Sequence, residues 1–254
     1  MRVVLFRIFG LNIYGYGTMM AIGILAALIL LNYIVKKRGY NEDSILNMSI
    51  ITIVCGVLGG KILFIITELG DIVKDPSILK DFGNGFVIYG AITGGALAII
   101  FYCRKKKWNT LDLLDMVAPC VALAQGFGRI GCFLAGCCYG AETKLPIGVI
   151  FKENSLAPAG LPLLPTQLFS SAFDFLLAIF LLWYSKKQRK NGRVFATYMI
   201  IYSVGRFLTE FIRNDPRGKV GVLSTSQFIA IFIIAGGIIL YNIDTIKIRI
   251  KGEK

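Results

Sequence analysis

Histidine is missing from all 254 residues, and that absence removes a large part of enzyme chemistry. No His-based nucleophile triad, histidine general base, His-ligated zinc or haem can be built from this chain. Charge is scarce as well: 17% of residues are charged, against about a quarter in ordinary soluble domains. With 56% hydrophobic residues and a mean hydropathy of +0.68, the composition excludes a soluble globule and leaves a polytopic membrane protein. Linkers, low-complexity segments and internal repeats are also lacking, so a single transmembrane domain over residues 1–254 is expected. The opening segment MRVVLFRIFGLNIYGYG has neither a short apolar core nor a small-residue cleavage site. The first span is therefore expected to be retained.

What the chain does contain is a series of apolar runs of about 20 residues, the length that crosses a ~30 Å hydrocarbon core. Seven are visible, near residues 14–35, 46–67, 86–103, 112–138, 166–185, 194–212 and 224–243. They predict an all-α integral membrane protein with seven transmembrane helices. The formal charge of +13 is explained by where the cations lie. Basic clusters follow alternate spans: Lys36 to Arg38, Arg104 to Lys107, Lys186 to Arg193, and Lys247 to Lys254. They hold 16 of the 28 Lys and Arg, which by the positive-inside rule puts the N-terminus outside and the C-terminus in the cytoplasm. The basicity is thus mostly topology, and no nucleic-acid motif accompanies it. Two sizeable connections face outward, 68–85 and 140–165. The second carries four prolines and is read either as a lid or interfacial arm or as a plain decorated loop.

Six cysteines remain. Cys55, Cys103 and Cys120 stand alone in or beside spans and read as small hydrophobes. Cys132, Cys137 and Cys138 are closer together, but CxxxxCC matches no zinc spacing and has no supporting ligands, so no metal or cofactor is expected.

Chemistry is sought where ionisable groups sit at membrane depth, because such groups are costly and face a protein interior or a wet cavity. In the sixth span Tyr202, Arg206, Glu210 and Arg213 follow at i, i+4, i+8 and i+11, one helical stripe pointing outward. In the fourth span, GFGRIGCFLAGCCYG, helical spacing puts Gln125, Arg129, Cys132, Gly136 and Gly140 on one face. Neither span offers Arg129 an obvious carboxylate, whereas Arg206 has Glu210. An arginine without an acid, joined by a second arginine on another span, suits an anionic ligand held by a planar fork of donors. The anion most available there is a phospholipid phosphate.

The stretches NIYGYGTMM, GFGRIGCFLAGCCYG, PTQLF and GRFLTEFIR resemble, over nearly the whole chain, the bacterial prolipoprotein diacylglyceryl transferases. The resemblance implies seven helices in the same orientation, in the bacterial cytoplasmic membrane. It also implies transfer of the diacylglyceryl group from phosphatidylglycerol to the lipobox cysteine thiol of a prolipoprotein, with release of glycerol phosphate. The family's two important arginines match Arg129 and Arg206; its tyrosines match Tyr16 and Tyr202, its acidic residue Glu210, and its closing glycine Gly140. Departures are equally visible. Cys132, Ala135 and Cys137 stand where the family has Asn, Asn and Glu, Tyr89 stands where it has His before Gly90, and its HPSQLYE stretch reads LLPTQLFSS here.

The expected catalytic residues are Arg129, Arg206, Glu210 and Tyr89; the expected substrate-binding residues are Tyr16, Arg129, Cys132, Gly140, Tyr202, Arg206 and Arg213. The arginines would hold the leaving phosphate, and the proton acceptor is left open among Glu210, Tyr89, Tyr16 and the phosphate itself. One of Cys132, Cys137 and Cys138 acting as a covalent nucleophile is an alternative. Two other readings stay in view: a related transferase with a different acceptor, and a lipid- or anion-binding permease.

Overall fold

The computed structural model describes residues 3–8, 11–75, 85–187, 189–216 and 218–243. Among them are eight helices: α1 (Gly15–Lys37), α2 (Glu42–Thr67), α3 (Leu69–Lys74), α4 (Ile88–Lys106), α5 (Thr110–Ala135), α6 (Thr166–Ser185), α7 (Arg193–Thr209) and α8 (Thr225–Tyr241). Each of the seven apolar runs falls on one of the long helices. Four, α1, α2, α5 and α6, are long and apolar enough to cross a membrane. Their outer faces are what a soluble protein would hide: Ile29 is 72% exposed, Ile66 63% and Leu176 66%, so these faces suit lipid rather than water. Three short antiparallel hairpins complete the inventory: β1 (Val4–Ile8) with β2 (Leu11–Tyr14), β3 (Val149–Ile150) with β4 (Pro162–Leu163), and β5 (Lys219–Val220) with β6 (Leu223–Ser224).

The chain forms two compact units, Asn32–Leu113 and a second made of Met1–Leu31 with Leu114–Lys254. In the first, α2 and α4 pack backbone to backbone. A Cβ at Gly59 would stand 2.4 Å from the Gly90 carbonyl oxygen, and one at Gly94 would stand 2.4 Å from that of Cys55. Small residues at a helix crossing gain this dispersion contact, which matters in lipid because apolar side chains have no solvent reason to associate there. The connection from α1 to α2 is tied to α5: Arg38 Nη1 and the Tyr40 hydroxyl donate to the two oxygens of Asp112, at 2.6 and 2.7 Å. Burial, and then the Asp112 bond, push the Tyr40 hydroxyl up to about 12, so it remains a donor at neutral pH. Tyr89 lies in α4 of this unit.

In the larger unit α6 buries one stripe, Gln167, Ser171, Asp174, Ala178 and Leu181, spaced i, i+4, i+7, i+11 and i+14 as a helical face requires. The stripe is polar at its N-terminal end and apolar at the other. The apolar end joins Ala118 and Ala122 of α5 and Val194 of α7 in a closed core; the polar end is where the chemistry lies.

Asp115 of α5 caps α7 from outside that helix. Its two carboxylate oxygens accept from the backbone N–H groups of Gly192 (2.8 Å) and Phe195 (2.7 Å), satisfying donors that every helix start leaves without intrahelical partners. Asp115→Asn puts an amide NH2 against one of those N–H groups. The variant is expected to lose about 1–3 kcal/mol, seen as a lowered melting temperature of the detergent-solubilised protein; an unchanged melting temperature would show that the cap contributes nothing.

Candidate active site

α5 ends one turn earlier than its apolar run suggests. Gly136 adopts φ +77°, its N–H bonds the Phe133 carbonyl (3.2 Å), and the Cys137 N–H bonds the Cys132 carbonyl (3.1 Å). That pair of bonds is a Schellman terminus. Gly136 and Gly140 therefore do not continue the helical face that carries Gln125, Arg129 and Cys132, and the five-residue face expected from the sequence is corrected to three. Beyond the terminus the backbone is anchored to the start of α6. The Thr166 hydroxyl donates to the Cys138 carbonyl and the Gln167 amide to that of Cys137, both at 2.6 Å. The Gly140 N–H donates to the Leu164 carbonyl at 2.9 Å, and a Cβ at Gly140 would lie 2.7 Å from Leu164 and Thr166.

A second correction concerns α7, which stops at Thr209, with Glu210 as its C-cap. Tyr202 and Arg206 are helical, but Arg213 is not on their stripe. The chain after the cap turns to pair with the post-α5 segment: Ala141 N–H bonds the Ile212 carbonyl, Asn214 N–H bonds that of Tyr139, and Gly140 and Arg213 form a β-bridge. Competing backbone partners, not side-chain spacing, thus decide where Arg213 sits.

Within the larger unit the expected residues nevertheless come together; Tyr89 belongs to the other unit. Arg206 pairs through Nη1 with Glu210 Oε2, and its Nη2 donates to Ser226 Oγ at 2.9 Å. Ser226 is held in the first turn of α8, whose start is fixed by a reciprocal cap between Ser224 and Gln227. Arg213 approaches the same Glu210 oxygen at 3.7 Å and makes a two-pronged bond to Asp215, at 2.9 and 2.7 Å. Arg129 differs: among the described residues it makes no ion pair, yet it lies within electrostatic reach of Tyr202, Cys132, Cys138 and Asp174. Arg206 in turn feels the charge of Arg129 and Arg213. Two guanidinium groups, borne by α5 and α7, therefore bear on one region.

Tyr16 of α1 reaches it from a third element. Its ring would be 3.2 Å from a Cβ on Gly131, one helical step from Cys132, and it lies in the field of Arg129 and the three cysteines. Tyr202 stacks on Tyr198 at 5.6 Å, and the Tyr198 hydroxyl donates to Gln125 at 3.0 Å. The expected outward arm, residues 140–165, has an apolar core of its own: Phe151, Leu163, Tyr139 and Ala157 are buried together against Phe133 and Val149.

Asp174 was not among the expected residues. It is 2% exposed, its Oδ2 accepts no hydrogen bond among the described residues, and it lies within electrostatic reach of Arg129 and Arg206. The signal was present as the lone acid in the apolar run FSSAFDFLLAIF, an intramembrane carboxylate by the same reasoning that selects Arg129.

The model of one protein family, prolipoprotein diacylglyceryl transferase, matches residues 3–243. The chain belongs to the prolipoprotein diacylglyceryl transferase family. A phosphatidylglycerol–prolipoprotein diacylglyceryl transferase of Clostridium tetani (strain Massachusetts / E88) is 63% identical over 97% of this chain and 99% of that protein. One of Clostridium perfringens (strain 13 / Type A), bearing the same name with the numeral 2, is 61% identical over the whole of both. A third, from Clostridioides difficile (strain 630), is 34% identical over 94% of this chain and 93% of its own length. Diacylglyceryl transferase relatives thus match this chain over nearly its whole length.

Proposed function

We propose that this protein transfers the diacylglyceryl group of phosphatidylglycerol to the lipobox cysteine thiol of a prolipoprotein and releases glycerol phosphate. One observation carries the reading: Arg129, a permanent cation with no ion pair among the described residues, stands in the field of Arg206, in a chain of the diacylglyceryl transferase family. We read all seven long helices as spans of a single transmembrane domain, N-terminus outside and C-terminus in the cytoplasm, in the bacterial cytoplasmic membrane. The alternating basic clusters support that orientation. At 17 residues, α7 and α8 stand at the short end of spanning length.

The thiol sulfur attacks the glyceryl carbon that bears the phosphate; a C–S bond forms as the C–O bond breaks, and charge gathers on the departing phosphate ester. Arg129 and Arg206 face that charge with fixed donors, and Arg206 is aimed by Glu210 on one side and Ser226 on the other. Glu210 gives one oxygen to two guanidinium groups, which makes it a positioner of both. The thiol proton goes to Asp174, whose buried Oδ2 accepts no hydrogen bond among the described residues. Tyr16 and Tyr202 offer hydroxyls to the headgroup, Cys132 lines it one turn from Arg129, and Gly140 and Arg213 hold the outer rim.

Purified protein incubated with phosphatidylglycerol and a lipobox peptide tests the reading. Glycerol phosphate release with a diacylglyceryl mass increase on the peptide is expected. Release that requires another acceptor would reject the prolipoprotein step, and the absence of both products would favour a lipid-binding permease.

A further inference from the structure

The end of α5 gathers three thiols, of which only Cys132 has a place in the reaction above. Cys132, Cys137 and Cys138 place their Sγ atoms all within 4.8 Å of one another, each partly buried. Nothing in their spacing announces this, since CxxxxCC fits no familiar ligand pattern. The fold makes the cluster in two steps. The Schellman terminus brings the residue two beyond the last helical turn back over the residue five before it, the position where an apolar pair usually meets; here that pair is Cys132 and Cys137. Cys138 then adopts φ +61°, a conformation few residues other than glycine take up. Neighbouring side chains in extended backbone point to opposite sides, so this left-handed residue is what turns the third thiol toward the other two. Strain of this kind persists where surrounding structure fixes it. Both carbonyls of the Cys137–Cys138 pair are pinned by side chains of α6.

We infer that Cys132, Cys137 and Cys138 form a binding site for one thiophilic d10 cation of the zinc class. Thiolates at about 2.3 Å from such an ion lie about 3.8 Å apart, so the sulfurs need close by an ångström or less to reach coordinating geometry. Arg129 and Arg213 lie within electrostatic reach of Cys138 and offset the negative charge that three thiolates bring together. Three protein ligands leave a fourth position for water or an oxygen anion, the arrangement of open rather than closed zinc sites. The ligand set is built from this chain's own departures from the family pattern at 132 and 137, and the inference does not depend on the transferase reading.

The test uses the full-length protein in detergent, purified without oxygen and titrated with Cd2+ alone. The ultraviolet sulfur-to-cadmium charge-transfer band is expected to rise to saturation at one ion per chain, and Zn2+ added afterwards is expected to remove it. Cys132→Ser, Cys137→Ser and Cys138→Ser should each weaken binding by about 100-fold or more, at the upper end of what loss of even an outer-shell partner causes. Cys55→Ser should leave it unchanged, and Cd2+ should raise the melting temperature of the parent but not of the triple variant. A band that survives in the triple variant, no band at all, or a disulfide joining two of the three in the anaerobically purified protein would each overturn the inference. The readout is spectroscopic, so an inactive transferase preparation would not be mistaken for a failed cation site.

Discussion

Arg129→Lys is expected to lower turnover with phosphatidylglycerol by about 10²-fold or more, equivalent to roughly 3 kcal/mol of transition-state stabilisation, while the melting temperature stays near that of the parent. Both halves follow from the same geometry. Lysine keeps the charge but loses the planar fork that grips two phosphate oxygens at once. Arg129 makes no ion pair among the described residues, so its replacement breaks no pair on which the fold relies. Arg213 is the contrast, because its guanidinium is committed to Asp215. Steady-state kinetics and thermal unfolding on the same preparation decide the point. If Arg129→Lys unfolded the protein and the surviving folded fraction turned over normally, Arg129 would be a structural cation rather than a phosphate-binding one.

Asp174→Asn is expected to reduce turnover by about 10²- to 10⁴-fold, the range for loss of a positioned proton acceptor. KM for phosphatidylglycerol should stay the same or fall, because removing a negative charge within electrostatic reach of Arg129 and Arg206 strengthens the positive field on the headgroup. A merely structural acid would raise KM or lower the melting temperature instead. Asp174→Glu, which restores the carboxylate on a longer stem, should recover part of the rate. Full activity in Asp174→Asn would pass the proton to the leaving phosphate or to a tyrosine hydroxyl.

The helices and the approach of Arg129 to Arg206 were legible in the sequence because lipid imposes a simple grammar: long apolar runs and few charges at depth. Where α5 ends was not legible. The run continues apolar through Cys138, and only the left-handed turn at Gly136 with its two returning hydrogen bonds stops the helix. The same limit misplaced Arg213, whose position depends on backbone pairing between residues 139–141 and 212–214, segments more than 70 positions apart. Asp174 could have been found, since it is as isolated among apolar neighbours as Arg129. It lies on α6, a span that carries no arginine, so no partner in its own span draws attention to it. The cysteine cluster depends on one non-glycine residue in an unusual conformation, which no spacing rule contains.

The central claim is that Arg129 and Arg206 act on a single phosphate, and a double-mutant cycle measures that directly. Values of kcat/KM for phosphatidylglycerol are determined for the parent, Arg129→Lys, Arg206→Lys and the double variant. Each single change is expected to cost about 10²-fold, and the double variant far less than the product of the two, since a headgroup released by one fork is no longer held for the other. Losses that simply multiply, or a single variant that keeps the parent kcat/KM, would contradict it.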